Sequence, residues 1–549
     1  MLSPLTPKPI SFAIRTPAMM KKSPIKQPQP ADLNSLQRLY QNGQFTVAEQ
    51  HAQTLLIQFP KSLELLNLLG LCQQSQGKLR EAAQCFRKML ALNPAIAELH
   101  FNLAAIATEL NDVKAATASY RKALALKPSL TVAHFNLGAL LQQQQLWQQA
   151  AQHYQHAVTQ QPDFFQAWAN WGAVLQTLGD LHAAEQCYRK ALALYQDAQG
   201  YFNLGTNLYD QGRHAEAIEA FQSALQLNPE FADAWNDLGE IYRDQANLDE
   251  ALRCYREALR IQANHARANY NIGESYSLAG HYLDAIPYFS ASDFADAEER
   301  VLLCLYKTRQ FEVFKQRLDE WIANNKHSSV LLGSLSTHYA LNFGLPNPYR
   351  YCQNPMAFVQ HTTINELADP SHPLLSQLLN DVKHLAIAER KQGRLYYGMQ
   401  SAGNLLQRPE ASFQQLATLI RAKVKAYQQY FADSEDALIR RFPKQLEFAS
   451  SWYLRMKQGG YLTSHIHEEG WISGCVYLQL PDKCQNHEGS FEYGTDGDDY
   501  PRLHDNFPCQ IVDQKVGDLV LFPSSLFHRT LPFQSDQERI CIAFDIKPL

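Results

Sequence analysis

The chain has 549 residues, 46% of them hydrophobic and 19% charged, which suits a globular protein of three or four domains. A formal net charge of −5 offers no electrostatic footprint for nucleic acid, and no apolar run is long enough to insert into a membrane. Ten cysteines occur without a Cys-x-x-Cys pair. Cys85, Cys187 and Cys254 fall on apolar helix sides at matching places of a repeat, which predicts reduced core thiols and a cytoplasmic setting.

Residues 1–30 are rich in Pro and Lys, and Pro9 and Arg15 interrupt their only apolar stretch. This predicts a disordered leader rather than a secretory signal, with Met19 or Met20 as a second candidate start. From residue 31 a repeat takes over. Prolines stand at 60, 94, 128 and 162, a spacing of 34, and Pro229 continues the series after one deletion. In the same phase stand Asn102-Leu103-Ala104, Asn136-Leu137-Gly138, Asn170-Trp171-Gly172, Asn203-Leu204-Gly205, Asp237-Leu238-Gly239 and Asn271-Ile272-Gly273. Tyr120, Tyr188, Phe221 and Tyr255 each precede an alanine by three residues. Small residues such as Gly138, Ala184 and Ala217 let paired helices approach, and the proline ends the second helix.

A period of this length with these residues resembles the tetratricopeptide repeat. The resemblance implies about seven repeats over 31–290, an all-α superhelix with a concave groove. In that family the asparagine position faces the groove. Asn102, Asn136, Asn170, Asn203, Asp237 and Asn271 are therefore expected to form a peptide-binding ladder, similar to the asparagine ladder of O-linked N-acetylglucosamine transferases. Amides can both donate to and accept from an extended backbone of any sequence. Phe101, Phe135, Phe202 and Tyr270, one position earlier, read as packing residues.

The period fades after residue 290. Residues 291–360 are expected to hold capping helices (299–325) and then an aromatic, proline-bearing linker. Helical patterns follow at 373–390 and 412–431. From 446 the pattern changes to short β-branched and aromatic segments separated by Gly, Pro and Asp. Residues 361–549 thus read as a double-stranded β-helix (jelly-roll) domain with flanking helices.

Two histidine sites lie far apart in this domain, His465-Ile-His467 and His528. On a strand, residues i and i+2 share a face, so His465, His467 and Glu469 point together if the strand persists. Two histidines and one carboxylate on one octahedral face hold a non-haem Fe(II) and leave three positions open. His528 supplies the distant ligand. The nearby ones are either His467 with Glu469 or His465 with His467. Arg539 follows on the last strand, where a planar guanidinium suits the distal carboxylate of 2-oxoglutarate. Trp452, Tyr453 and Tyr477 lie on neighbouring strands and are candidates for lining the co-substrate pocket.

The stretch Ser451–Pro548 resembles a 2-oxoglutarate/Fe(II)-dependent oxygenase family with the pattern H-x-H, S-G-x-x-Y, G-D-x-x-x-F-P-x-x-x-x-H, R-x-x-x-A-F. Here these are His465 to His467, Ser473 to Tyr477, Gly517 to His528 and Arg539 to Phe544. The order of parts is similar to aspartyl/asparaginyl β-hydroxylases, whose first ligand, lined up on the following strand and on Pro481, falls on His465. The pattern departs from the common H-x-D, which leaves the third ligand open. His465 and His528 rank first, then His467, then Glu469. The resemblance implies Fe(II), 2-oxoglutarate as co-substrate, ascorbate as reductant, and hydroxylation of a protein or peptide held by the repeats. The other readings are a non-catalytic interaction scaffold with a ligand- or metal-binding barrel, and a small-molecule oxygenase. A glycosyltransferase is disfavoured, because the C-terminal part is too small and too β-rich.

Overall fold

The computed structural model describes residues 27–547, apart from 325–326, 385–386, 388, 391–392 and 444. Residues 1–26 of the expected leader lie outside the described residues. The chain divides into two compact units after Ala263.

In the first unit, helices run in consecutive antiparallel pairs from Pro30–Gln41 to Leu248–Ile261. The pairing is dictated by glycine on one helix and an aromatic ring sixteen residues later on the next. A Cβ on Gly172 would lie 2.8 Å from the Tyr188 ring, and Gly138 meets Tyr154, Gly205 meets Phe221 and Gly239 meets Tyr255 in the same way. Alanine is the better helix former, by about 1 kcal/mol. At these positions the ring occupies the space its methyl needs, and forcing it in costs about 1–3 kcal/mol. Gly172→Ala should therefore lower the melting temperature in a thermal unfolding scan, although the same change raises it at an unobstructed helix position. Cys85, Cys187 and Cys254 are buried free thiols.

The second unit begins inside the repeat array. One apolar core runs without interruption from Ala285 to Ile546 and joins the helices Tyr282–Ser290, Ala297–Lys307 and Phe311–Asn324 to the C-terminal strands. The expected linker is instead a helix, Val330–Phe343, started by the Ser329 hydroxyl accepting from the amide of Leu332 and ended by left-handed Gly344 (φ 61°). Nearly all of its residues are buried, so it shows no amphipathic stripe for a sequence reading to find. Its one buried histidine, His338, bonds Asp496 (3.0 Å) and Tyr306 (2.6 Å).

Among the described residues ten strands form one antiparallel sheet: β1 (Gln360–Thr363), β2 (Glu389–Arg390), β3 (Leu395–Ser401), β4 (Glu447–His465), β5 (Ile472–Gln479), β6 (Phe491–Gly494), β7 (Cys509–Val512), β8 (Asp518–Pro523), β9 (Phe527–Thr530) and β10 (Arg539–Lys547). The order is β1-β8-β5-β10-β4-β9-β6-β7, with β3 on β4 and β2 on β3. Strand β10 is central and covered on both faces. Ile540, Ile542, Phe544 and Ile546 pack with the helices Leu374–His384 and Ala411–Tyr430, whereas Cys541 and Ala543 face the interior with Leu454, Tyr477 and Phe522. Alternation along β10 therefore sends Arg539, Cys541, Ala543 and Asp545 to one side. The helical pattern expected at 412–431 corresponds to Ala411–Tyr430, whereas the one expected at 373–390 is helical only over Leu374–His384 and its last residues, Glu389–Arg390, are strand β2. Strands β1 to β3 lie upstream of the region read as strands.

Candidate metal and anion site

Register brings the two distant histidines together: on neighbouring strands β4 and β9, His465 and His528 are direct cross-strand partners. Strand β4 ends at His465, and the chain then turns. The His467 amide donates to the Ser524 carbonyl (3.0 Å), and the Gly470 amide donates to the His467 carbonyl (3.1 Å). The turn swings the His467 ring back, so that one ring nitrogen from each of His465, His467 and His528 lies within 4.8 Å of the others. Glu469 is exposed and outside this cluster, and Glu468 pairs with Arg300 at 2.6 Å. The expected i, i+2 sharing of a face by His467 and Glu469 fails because the strand does not continue past His465.

Each ring has a defined orientation. The Nδ1 of His465 meets the Thr463 carbonyl (2.8 Å), that of His528 the Leu526 carbonyl (3.2 Å), and that of His467 the Asp545 carboxylate (2.6 Å). Carbonyls and carboxylates only accept, so each Nδ1 carries the proton and each Nε2 presents a lone pair. The Nε2 atoms of His465 and His467 are 3.2 Å apart. Burial, then the neighbouring His467, pushes His465 down to about 3, and burial with His465 and His467 beside it holds His528 far below the usual imidazole value. Three ring nitrogens converging in this way make a donor set suited to a transition-metal cation.

Asp545 is the residue that sequence reasoning missed. Its Oδ1 accepts from His467 and from the Ser473 hydroxyl (2.7 Å), and its Oδ2 from the Ser450 hydroxyl (2.8 Å). Burial would push this carboxyl up, but the neighbouring His467 and the hydrogen bonds from it and the two hydroxyls outweigh it and hold it below the usual range. The signal was present in the alternation of β10: three strand positions of period two separate Asp545 from Arg539 on one face.

Arg539 shares the cavity with the three histidines and is 1% exposed. Its Nε donates to the Gly489 carbonyl (3.0 Å), and one terminal nitrogen to Cys541 Sγ (3.3 Å). Among the described residues no carboxylate forms an ion pair with it. The Tyr477 ring lies 5.2 Å from the guanidinium, and its buried hydroxyl has no oxygen or nitrogen partner. A buried, uncompensated guanidinium beside an unengaged hydroxyl is a binding place for an anion. A hydrogen bond from Cys475 and the guanidinium draw the Cys541 thiol below its usual value. Trp452, Leu462, Phe491 and Phe522 form apolar walls. Tyr453 does not belong to them. It alternates to the opposite face of β4, joins the helix-side core and donates its hydroxyl to Glu389 at 2.9 Å.

The ladder residues do not share one environment. Asn102 is fully buried, with neither amide atom hydrogen-bonded, so it does not reach a groove. The Nδ2 atoms of Asn136 and Asn170 donate to the hydroxyls of Tyr120 (3.1 Å) and Tyr154 (3.4 Å) of the preceding repeat. Asn203 accepts from Gln199 at 2.9 Å. Asp237 accepts from Asn236, and Asn271 is buried.

Comparisons with known proteins agree with these two halves. Residues 450–545 match the family described as "Putative 2OG-Fe(II) oxygenase". Residues 73–130, 163–230, 202–264 and 236–299 match tetratricopeptide-repeat families. No curated protein matches the chain. Among solved structures, YrrB, titled a TPR protein with an unusual peptide-binding site, is 26% identical over 34% of this chain and 96% of its own, with a TM-score of 0.32. PilF of Pseudomonas aeruginosa is 21% identical over 39% of this chain and 97% of its own (TM-score 0.34). The APC/C hetero-tetramer Cut9–Hcn1 is 19% identical over 50% of this chain and 55% of that one (TM-score 0.35). The chain thus carries tetratricopeptide repeats in its N-terminal region and, at residues 450–545, a domain that matches the family described as "Putative 2OG-Fe(II) oxygenase".

Proposed function

We propose that this protein is an Fe(II)- and 2-oxoglutarate-dependent hydroxylase acting on a polypeptide held by its repeats. The observation that carries this reading is the convergence of three imidazole lone pairs in the same cavity as a buried arginine that has no carboxylate partner. That donor set fits a divalent transition metal, and the arginine with Tyr477 fits the distal carboxylate of a 2-oxo diacid. His465, His467 and His528 would hold the metal, with His467 rather than Glu469 as third ligand. We read the sheet as the double-stranded β-helix of such enzymes. When bound, Fe(II) with 2-oxoglutarate and dioxygen supplies an oxidant strong enough to hydroxylate an unactivated C–H bond.

The chain's own residues have separate tasks. Thr463 and Leu526 carbonyls and the Asp545 carboxylate keep every Nδ1 protonated and every Nε2 free for the metal. Arg539 and Tyr477 orient the co-substrate through its far end. Trp452, Phe491 and Phe522 keep water from the reacting centre. The tetratricopeptide families matched over 73–299 support a polypeptide as the substrate.

Calorimetry with Mn(II) in place of Fe(II), followed by 2-oxoglutarate, tests this directly. Binding of 2-oxoglutarate only after the metal, together with slow succinate formation in the presence of Fe(II) and ascorbate, is the expected result. Absence of both binding events would leave a repeat scaffold and remove the enzyme.

A further inference from the structure

Two seams between successive repeats are closed by an apolar pair. The residue before the ladder position stacks on a residue of the next inter-helix turn: Phe135 on Phe164 (rings 4.8 Å apart) and Phe202 on Phe231 (4.9 Å). Between these two seams lies a third, where the period loses its one residue. The corresponding positions are Ala169 and Asp197, and after the helix cap Tyr195, where the neighbouring repeats have a proline, stands Gln196. Neither member of the plug is present, and a cavity of about 240 Å³ opens there, lined by both residues.

The lining has a defined chemistry. Asn170 and Asn203, the two ladder residues on either side, both face the cavity. Gln199 donates to Asn203 Oδ1, while Asn203 Nδ2 is shielded from solvent with no partner. Phe165 and Tyr195, rings 4.7 Å apart, form one wall. Asp197 Oδ1 accepts from the Gly200 amide (2.8 Å), and its other oxygen carries no hydrogen bond among the described residues. No lysine or arginine lines the cavity. A cavity with two aromatic rings, aliphatic Leu192 and one carboxylate in its lining suits a long aliphatic stem with a cationic end. The volume is below that of drug-sized ligand pockets, about 300–1,000 Å³, and suits a single side chain.

We infer that the seam between the helices Phe165–Thr177 and Ala198–Asp210 is an anchor site for one lysine or arginine side chain of an extended polypeptide, whose backbone lies along Asn170 and Asn203. This rests on the reading of the repeats as a polypeptide-binding groove. It adds a sequence preference that an amide ladder alone lacks.

Fluorescence anisotropy on the full chain tests it with labelled decapeptides of Gly, Ser and Ala carrying one central lysine, norleucine or glutamate. The lysine peptide should bind about tenfold more tightly than the norleucine peptide, which has the stem without the charge. The double variant Ala169→Phe/Asp197→Phe rebuilds the aromatic plug of the neighbouring seams. It should erase the lysine preference, and circular dichroism should show the repeats still folded although the Asp197 helix cap is lost. Asp197→Asn, which keeps the helix cap, should reduce the preference without unfolding the repeat. Asn170→Ala with Asn203→Ala should weaken all three peptides alike. If that pair weakens them and the plug changes nothing, the groove stands and the anchor site falls. If the plug removes the preference while the asparagine pair is neutral, the anchor stands and the ladder falls. Equal binding of lysine and norleucine peptides, or no binding of any, overturns the anchor site.

Discussion

His528→Ala is expected to reduce succinate formation to below about 1% of the wild-type rate and to abolish Mn(II) binding in calorimetry, with the fold retained. His528 and His465 are direct partners across β4 and β9, so removing either imidazole leaves two donors and breaks the facial arrangement. The ring lies in an apolar surround beside Phe491 and Phe522. Alanine therefore leaves a small apolar void rather than an orphaned charge, and circular dichroism should be unchanged. Arg539→Ala should behave differently: metal binding persists, while the calorimetric signal for 2-oxoglutarate is lost. Arg539→Lys should restore only part of it, because an ammonium lacks the bidentate fork. Loss of metal binding in Arg539→Ala, or its retention in His528→Ala, would refute this division of labour.

The second large effect concerns Asp545. Asp545→Asn keeps an acceptor for His467 and a similar volume but removes the negative charge beside the cluster. Partners of metal-ligating histidines typically change metal affinity 10–100-fold, and a fall of about that size in Mn(II) affinity is expected here. Asp545→Ala goes further. It strands the His467 Nδ1 and takes away the acceptor that Ser473 and Ser450 share, at a cost of roughly 1–3 kcal/mol for a buried group left unpaired. Denaturant unfolding of the metal-free chain separates the two effects, because the Asn variant should unfold close to wild type and the Ala variant earlier. Unchanged metal affinity in Asp545→Asn would mean that the carboxylate only stabilises the fold.

The three histidines and Arg539 were visible in the sequence because imidazoles and a strand guanidinium in β-rich segments are rare and chemically pointed. Which third residue joins His465 and His528 was not. That depends on where β4 stops, and the stop is set by a turn whose amide bonds to Ser524, about sixty residues away. Tyr453 was misassigned for a related reason: side chains alternate along β4, and only the register with β10 and β3 says which face is inward. Helix Val330–Phe343 went unread because burial on all sides erases the periodicity that marks a surface helix.

The sequence by itself determined the repeats and the change to strands, since period, glycine–aromatic spacing and alternation are local properties that each segment carries within itself. The tertiary structure alone decided the contents of the site. Asp545 became a partner of His467 through antiparallel pairing of strands distant in sequence. The missing plug at Ala169 and Asp197 became a cavity only when neighbouring repeats stacked and left that seam unfilled. Both depend on which surfaces meet, and no single segment specifies its neighbour.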